Sequence, residues 1–172
     1  MKSHNFFKTM FFSATILFFL SCSKSSDTTT SSGSATNLTA GTSQISFDYS
    51  GSQSGSFNSS ASLSKATKNS SLYNISAGQV NGTTPYNVLF LIDANTAVGT
   101  YKFSDVANKA KNLSFSFSTI TWGFAAASSN SDDFTLIITK NDGSVVEGSF
   151  SGTLNASGQK VSVTNGKLAA KF

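Results

Sequence analysis

The sequence predicts an all-β protein with a single antiparallel domain of the β-sandwich or barrel-like type, built from about eight or nine strands. Apolar and polar side chains alternate with a period of two along several short runs, and clusters of Gly, Asn and Ser separate these runs. No run keeps helical spacing for three turns. We therefore expect each run to form a strand with one buried face. The clearest runs are residues 45–49, 57–63, 73–77, 113–117 and 134–138.

Residues 1–21 have the pattern of a secretory signal peptide, with early lysines followed by an apolar block at residues 10–20. As a helix this block would reach roughly 17 Å, whereas the hydrocarbon layer of a bilayer is about 30 Å thick. We therefore do not expect it to persist as a membrane span. Ser21 is the small residue expected just before a cleavage site, and Cys22 would then begin the mature chain.

The stretch SATILFFLSC, which ends at Cys22, resembles the lipobox of bacterial lipoproteins. In such proteins the cysteine thiol receives a diacylglycerol, the signal is cleaved in front of it, and the new amine is acylated with a chain such as palmitate. The resemblance implies cleavage between Ser21 and Cys22 and lipidation of Cys22. Each buried methylene contributes ~0.8 kcal/mol, so a diacylated cysteine can hold a domain on a membrane. The alternative is an ordinary secreted protein with a free thiol.

Residues 22–42 consist almost entirely of Ser, Thr, Gly, Asp and Asn. Such a segment cannot bury enough apolar surface to offset the entropy lost on ordering, so we interpret it as a flexible tether. The all-β domain is then predicted to span residues 43–172. Within the tether, DTT at residues 27–29 resembles the short O-glycosylation motif of exported Bacteroidota proteins, which makes Thr28 a possible sugar attachment site.

The remaining elements follow from local patterns. Residues 86–93 are apolar at most positions, which favours a central strand covered on both faces. A single helical turn is predicted in SDVANKA, with Ser104 as its cap. Residues 141–143, NDG, predict a tight hairpin, so we interpret Asp142 as a turn residue rather than a ligand. A kink is expected at residues 165–166, before the closing strand.

The C-terminal half resembles a group of small Bacteroidota outer-membrane lipoproteins of unknown function. These share a segment of the form ITKxDGxxVxGxFSGTL, followed by VxVTNGKLxxKF, which here are residues 138–154 and 161–172. A looser match extends back through GTYKF at residues 99–103. The resemblance implies an exported lipoprotein in the outer membrane with a β-sandwich or barrel-like fold. It supplies no catalytic residues, because the shared positions are glycines, turn residues and core apolar residues.

Composition excludes several function classes. With the two leader lysines removed, ten basic residues face eight acidic ones, so the mature chain is close to neutral. It contains no arginine, which makes nucleic acid a poor partner. The histidine, His4, lies in the leader, so the mature chain lacks the imidazole of a Ser-His-Asp triad or an ordinary zinc site. We expect no cofactor. A glycoside hydrolase that uses two carboxylates is left open.

Two features could form a ligand site. Trp122 lies where an apolar strand gives way to a polar loop, so it could stack on a sugar ring or close one end of the core. Asp132 and Asp133 are adjacent carboxylates and are weak candidates for calcium, which takes six to eight oxygen ligands. The alternative for this pair is a solvated loop, and we predict no metal.

These observations predict a membrane-anchored lipoprotein of the cell envelope, most simply of the outer membrane. We expect a non-enzymatic binding or structural module whose partner is an envelope protein or a glycan. A lipocalin-like carrier of a small apolar ligand is the first alternative, and a carboxylate-dependent glycoside hydrolase is the second. The sequence does not fix the oligomeric state.

Overall fold

The computed structural model describes residues 34–172, and this part of the chain is all-β, as predicted. Its strands are all antiparallel and belong to one sheet, which curls into a half-barrel. The strands are β1 (Thr42–Gly51), β2 (Gly55–Asn58), β3 (Lys65–Lys68), β4 (Leu72–Asn81), β5 (Thr84–Asp93), β6 (Gly99–Lys102), β7 (Ser114–Ser118), β8 (Gly123–Ala127), β9 (Phe134–Asn141), β10 (Val145–Ala156) and β11 (Gln159–Lys171). Short 3-10 turns lie at Ala35–Asn37, Ala61–Leu63, Val106–Lys111 and Ser128–Asn130.

The strand order is β2-β1-β11-β10-β8-β7-β5-β4-β3. Strand β10 pairs with β9 along most of its length and with β8 near its end, and β6 extends the β9 branch. Hydrogen bonds link the start of the β1 region to β3 and β4, from Ala66 N to Gly41 O at 2.8 Å and from Ser43 Oγ to Ser76 O at 2.7 Å. These links bring the two sides of the curled sheet together.

The concave side of the half-barrel is filled by phenyl rings. Phe115 packs on Phe90, Phe150 and Phe134 with ring centroids 4.4, 5.1 and 5.2 Å apart. Phe117 extends the cluster toward Phe57 at 5.9 Å. Each fully buried side chain of this size contributes about 1.5–3 kcal/mol, and aromatic pairing adds about 0.5–1.5 kcal/mol. The phenyl rings therefore form one continuous cluster within the core.

The predicted kink at Asn165 and Gly166 is confirmed as a bulge in a single long strand, β11. Asn165 has φ of 54°, and the register with β10 shifts between Phe150 and Gly152. The predicted hairpin at residues 141–143 is also present, with Gly143 at φ of 82°. Bulges of this kind bend a strand locally and help a sheet to curl.

Two strand predictions need correction. The alternating run 57–63 is not one strand, because β2 ends at Asn58 and a 3-10 turn with exposed residues follows at Ala61–Leu63. Here the chain leaves the β1 edge and crosses to β4, where Ser60 N donates to Gly78 O at 2.7 Å. Strand β5 does lie inside the sheet, between β4 and β7, but only its inward side chains are buried, and Leu89 and Leu91 are half-buried on the other face.

The two remaining local differences concern short turns. The helical turn predicted near Ser104 is a 3-10 turn. Its N-cap is Asp105 and not Ser104, and the Asp105 side chain makes no capping hydrogen bond. Residues 34–41, which the sequence assigns to the tether, include a 3-10 turn that docks on the sheet. Ala35 is buried against Val145 and Ala169, and its N–H donates to Glu147 Oε1 at 2.6 Å. One small apolar side chain and one hydrogen bond therefore attach this segment to the sheet.

Candidate functional site

Trp122 lies at one end of the half-barrel, in the loop that joins β7 to β8. The loop is closed by a hydrogen bond from Thr119 N to Trp122 O at 2.8 Å. Because side chains alternate along β8 and Phe124 points inward, Trp122 also points inward. Its ring packs on Phe117 and Phe124 at 5.0 and 5.4 Å and covers the end of the aromatic core.

Trp122 is only partly buried, so part of its ring reaches solvent. Among the described residues, no side chain or carbonyl accepts a hydrogen bond from its indole N–H. An indole that combines an exposed apolar edge with an unused donor can contact a sugar ring or a similar amphipathic ligand. The two roles considered for this residue are therefore compatible in one side chain, although contact with a ligand stays a prediction.

Two tyrosines share this end of the half-barrel with the tryptophan. Tyr86 lies 6.1 Å from Trp122 between ring centroids, and Tyr49 lies 4.9 Å from Phe117. We call Tyr49, Tyr86 and Trp122 the aromatic rim. Burial raises the pKa of Tyr49 above its ordinary value, and the nearby Tyr86 hydroxyl raises it further. The Tyr49 hydroxyl is therefore neutral at physiological pH.

Two of the loops that border the aromatic rim carry no charged side chain. They are the β4–β5 hairpin and the β7–β8 loop, with the sequences VNGTTP at residues 80–85 and STITWG at residues 118–123. Ile120 and Val80 are strongly exposed, at 80% and 54% of their surface. The hydroxyls of Thr119 and Thr121 lie 3.1 Å apart. A neutral ligand with both apolar and hydroxyl groups fits such surroundings better than a charged one.

A shallow groove of about 350 Å³ lies on the outer face of the same strands. Its walls come from β4, β5 and β7 together with the 3-10 turn at residues 61–63, and they too carry no charge. The groove residues are Leu63, Ser76, Asn87, Leu89, Ser116 and Ser118, with Ala77 and Val88 at its base. The uncharged surface therefore continues from the rim onto the outer face.

The acidic pair lies away from the rim, beyond the other end of β8. Asp132 Oδ2 accepts a hydrogen bond from Ala127 N at 2.8 Å, and its Oδ1 accepts one from the Asn155 side chain at 3.3 Å. The main-chain oxygen of Asp133 accepts from Thr153 N at 2.6 Å. Both residues thus hold the loop against β10. Within residues 34–172 no group of three or more His, Cys, Asp or Glu side chains is placed to hold a metal, so the weak calcium candidates Asp132 and Asp133 belong to no such group.

Two other carboxylates are held in their ionised form. Hydrogen bonds from Asn165 and Ser56 lower the pKa of Asp48. Bonds from the Ser144 hydroxyl and main chain, and from Val145 N, hold the pKa of Asp142 well below its usual range. The general acid of a glycosidase needs a raised pKa, so neither residue suits that role. Asp142 instead closes the β9–β10 turn, as the sequence predicts.

The predicted lipidation and cleavage residues, Cys22 and Ser21, lie outside the described residues, as does Thr28. The chain enters the described domain beside Val145, at the start of β10. This strand runs from there to Ala156, which packs at the edge of the core, and pairs with β8 at Asn155. At 3.3 Å per residue it covers roughly 35 Å. The entry point and the aromatic rim are therefore at opposite ends of the half-barrel.

None of the described helical turns has the length and apolar character needed to cross a membrane.

The sequence points to Trp122 as a candidate site residue, but it does not indicate that Tyr49 and Tyr86 lie beside it. The alternation in the sequence shows that these residues point inward, but it does not show the strand pairing that brings them together.

Searches against known protein families, curated proteins and solved structures find no match for this chain.

Proposed function

We propose that this protein is a lipid-anchored module of the cell envelope, most simply of the outer membrane, that binds a neutral glycan at its aromatic rim and catalyses no reaction. Cys22 carries the anchor, and the polar tract after it spaces the domain from the bilayer. The observation that carries the proposal is the partly exposed Trp122, whose indole N–H has no acceptor among the described residues. It stands among tyrosine and threonine hydroxyls, beside two loops that carry no charged side chain.

The position of the rim supports a binding role. The chain enters beside Ala35 and Val145, at the end of the half-barrel opposite Trp122. A module tethered in this way can present its rim to a ligand at a distance from the membrane. An envelope protein is the other partner considered, and a neutral protein surface could meet the same uncharged face.

The filled core favours this proposal over a lipocalin-like carrier. A carrier needs room for its ligand among the inward-facing side chains, and here Phe90, Phe115 and Phe150 pack on one another with centroids 4.4 to 5.1 Å apart. Phe90 and Phe115 are fully buried. A ligand inside the half-barrel would have to displace these rings, at the cost of the burial energy that holds the sheet together.

The tryptophan itself provides the test, because Trp122 is the only one in the sequence. The detergent-solubilised full chain would be screened on a glycan array and then titrated with neutral oligosaccharides while tryptophan fluorescence is recorded. We expect a saturable change in fluorescence for at least one neutral glycan. We also expect Trp122→Phe to fold but to lose the binding seen on the array.

The matched control is Tyr73→Phe, which removes one hydroxyl at the opposite end, where Tyr73 bonds to Asn141. This variant should bind as the unaltered protein does. Glycan binding that is unchanged in Trp122→Phe would show that the site does not lie at the aromatic rim. Co-purification of a small apolar molecule would favour the carrier, and capture of an envelope protein without any glycan would favour that partner.

A further inference from the structure

Three residue pairs in residues 34–172 combine an Asn or Asp with a following Gly: Asn81–Gly82, Asp142–Gly143 and Asn165–Gly166. In such a pair the glycine nitrogen can attack the preceding side-chain carbonyl, because the glycine has no Cβ to obstruct the approach. The attack requires that the Asn or Asp side chain be free to rotate toward the main chain and that the glycine nitrogen be accessible. The three pairs differ in both respects.

In two of the pairs, hydrogen bonds or packing oppose the attack by the glycine nitrogen. The Asn165 side chain donates from Nδ2 to Asp48 Oδ2 at 2.9 Å, and Gly166 is packed against Phe150 inside the β10–β11 ladder. Asp142 accepts three hydrogen bonds from Ser144 and Val145 on its Oδ1. Its carboxylate is ionised at neutral pH and is therefore a poor target for a nucleophile.

The pair Asn81–Gly82 has neither restraint. Asn81 is exposed at the end of β4, and within the described residues its side chain has no hydrogen-bond partner. Gly82 begins the turn of the β4–β5 hairpin with φ of 62°, and apart from Gly82 and its two chain neighbours no residue lies within 4 Å of the position that a Cβ would take. Apart from strand ladders, the main-chain hydrogen bonds of the described loops and turns do not use Gly82 N–H as a donor.

We propose that Asn81 is a site of spontaneous deamidation in the folded protein. The main-chain nitrogen of Gly82 attacks Cγ of Asn81 and forms a C–N bond, its proton passes through water to the side-chain nitrogen, and the Cγ–Nδ2 bond breaks to release ammonia. The resulting five-membered imide then takes up one water at either carbonyl, which yields aspartate or isoaspartate at position 81. No oxidant or further reactant is needed.

The product changes the rim region of the half-barrel. Asn81 belongs to the hairpin that borders the aromatic rim, and this hairpin carries no charge before the reaction. Deamidation introduces a carboxylate there, and the isoaspartate form also adds a methylene to the main chain. Protein kept for a long time after purification would therefore carry a negative charge in the β4–β5 hairpin, beside the aromatic rim.

The test is a comparison of two asparagines in one molecule. The full chain would be incubated in mildly alkaline buffer, and peptide mass mapping would follow the amide-to-carboxylate mass change at Asn81 and Asn165. We expect Asn81 to convert ~10-fold faster or more, because the charge-assisted hydrogen bond to Asp48 raises the barrier at Asn165. In concentrated urea, where that bond is absent, the two sites should convert at similar rates.

A variant separates this site from other sources of charge heterogeneity. Asn81→Gln keeps an amide at the same position but would need a strained, larger ring, so the acidic species seen on anion exchange should disappear. The proposal fails if Asn81 stays intact in the folded protein. It also fails if Asn165 converts as fast as Asn81, or if the acidic species persists in Asn81→Gln. None of these results depends on whether the rim binds a glycan.

Discussion

Gly166 lies directly opposite Phe150 in the β10–β11 ladder, and the phenyl ring occupies the space that a Cβ on Gly166 would need. Such a Cβ would stand 2.5 Å from the ring of Phe150, and it would also meet the main-chain oxygen of the same residue. This contact joins the bulge in β11 to the centre of the aromatic core, because Phe150 also packs on Phe90 and Phe115.

The first prediction concerns Gly166→Ala. The obstructing atoms include main chain, so relief requires the two strands to separate locally, and we expect the free energy of unfolding to fall by about 1–3 kcal/mol. Urea denaturation followed by circular dichroism would measure it. Gly123→Ala is the control, because its Cβ would lie 3.3 Å from one half-buried side chain, that of Ser118. Equal stability of the two variants would contradict the packing argument.

The second prediction concerns the pH dependence of stability at the β9–β10 turn. The pKa of Asp142 is lower in the folded protein than its ordinary value of 3.8, so the ionised side chain stabilises the fold above that pH. The contribution is lost as the pH falls through the lower folded pKa. Asp142→Ala should therefore unfold at a lower temperature than the unaltered protein at neutral pH, with a difference that shrinks in strong acid.

Asp142→Asn separates charge from hydrogen bonding in that experiment. It keeps one side-chain oxygen that can accept from Ser144 and Val145, so it should fall between the unaltered protein and Asp142→Ala at neutral pH. Thermal melts at a series of pH values would record all three. A difference between Asp142→Ala and the unaltered protein that does not change with pH would show that the carboxylate charge has no role.

The third prediction concerns the structural contribution of Trp122. Its ring covers Phe117, so Trp122→Ala should destabilise the protein, but by less than the ~3–5 kcal/mol typical of a fully buried aromatic residue. Trp122→Phe should lose less than Trp122→Ala, since a phenyl ring still covers part of the core. Urea denaturation of both variants measures the order. A Trp122→Ala variant as stable as the unaltered protein would mean that the residue does not close the core.

The fourth prediction concerns attachment to the membrane. If Cys22 carries the anchor, Cys22→Ser should move the protein from the membrane fraction to the soluble fraction, because the acyl chains provide the binding energy. Fractionation with mass spectrometry of the N-terminal peptide would follow both location and modification. A Cys22→Ser protein that is still membrane-bound and acylated would exclude lipidation at this residue.

The period-two pattern correctly predicted strands in which large apolar residues occupy every second position. Ile45, Phe47 and Tyr49 are all buried on one face of β1, as the alternation predicts. The same reasoning failed at Ala61 and Leu63, where small and apolar residues alternate with serine but the chain turns to cross between sheet edges. Alternation reports which side chains can share a face, and it does not report where a strand must stop so that the sheet can curl.

The candidate site was predictable only in part. Trp122 is conspicuous because it is a lone tryptophan at the border of a polar loop, but its proximity to Tyr86 depends on the pairing of β5 with β7. That pairing brings Asn87 opposite Ser118 and so places the two loops side by side. Residue spacing carries no information on such a long-range register when several strands have similar patterns.

The antiparallel pairing of β1 with β11 determines how this domain would bear a mechanical load. The tract before residue 34 leads into β1, whose residues Thr42 to Gly51 are matched by Lys171 to Val161. A pull on that tract acts along the strand, while the hydrogen bonds of an antiparallel ladder lie across it. Many bonds must then yield together rather than one after another, so drag on a ligand held at the far end would be resisted in shear instead of peeling the sheet apart.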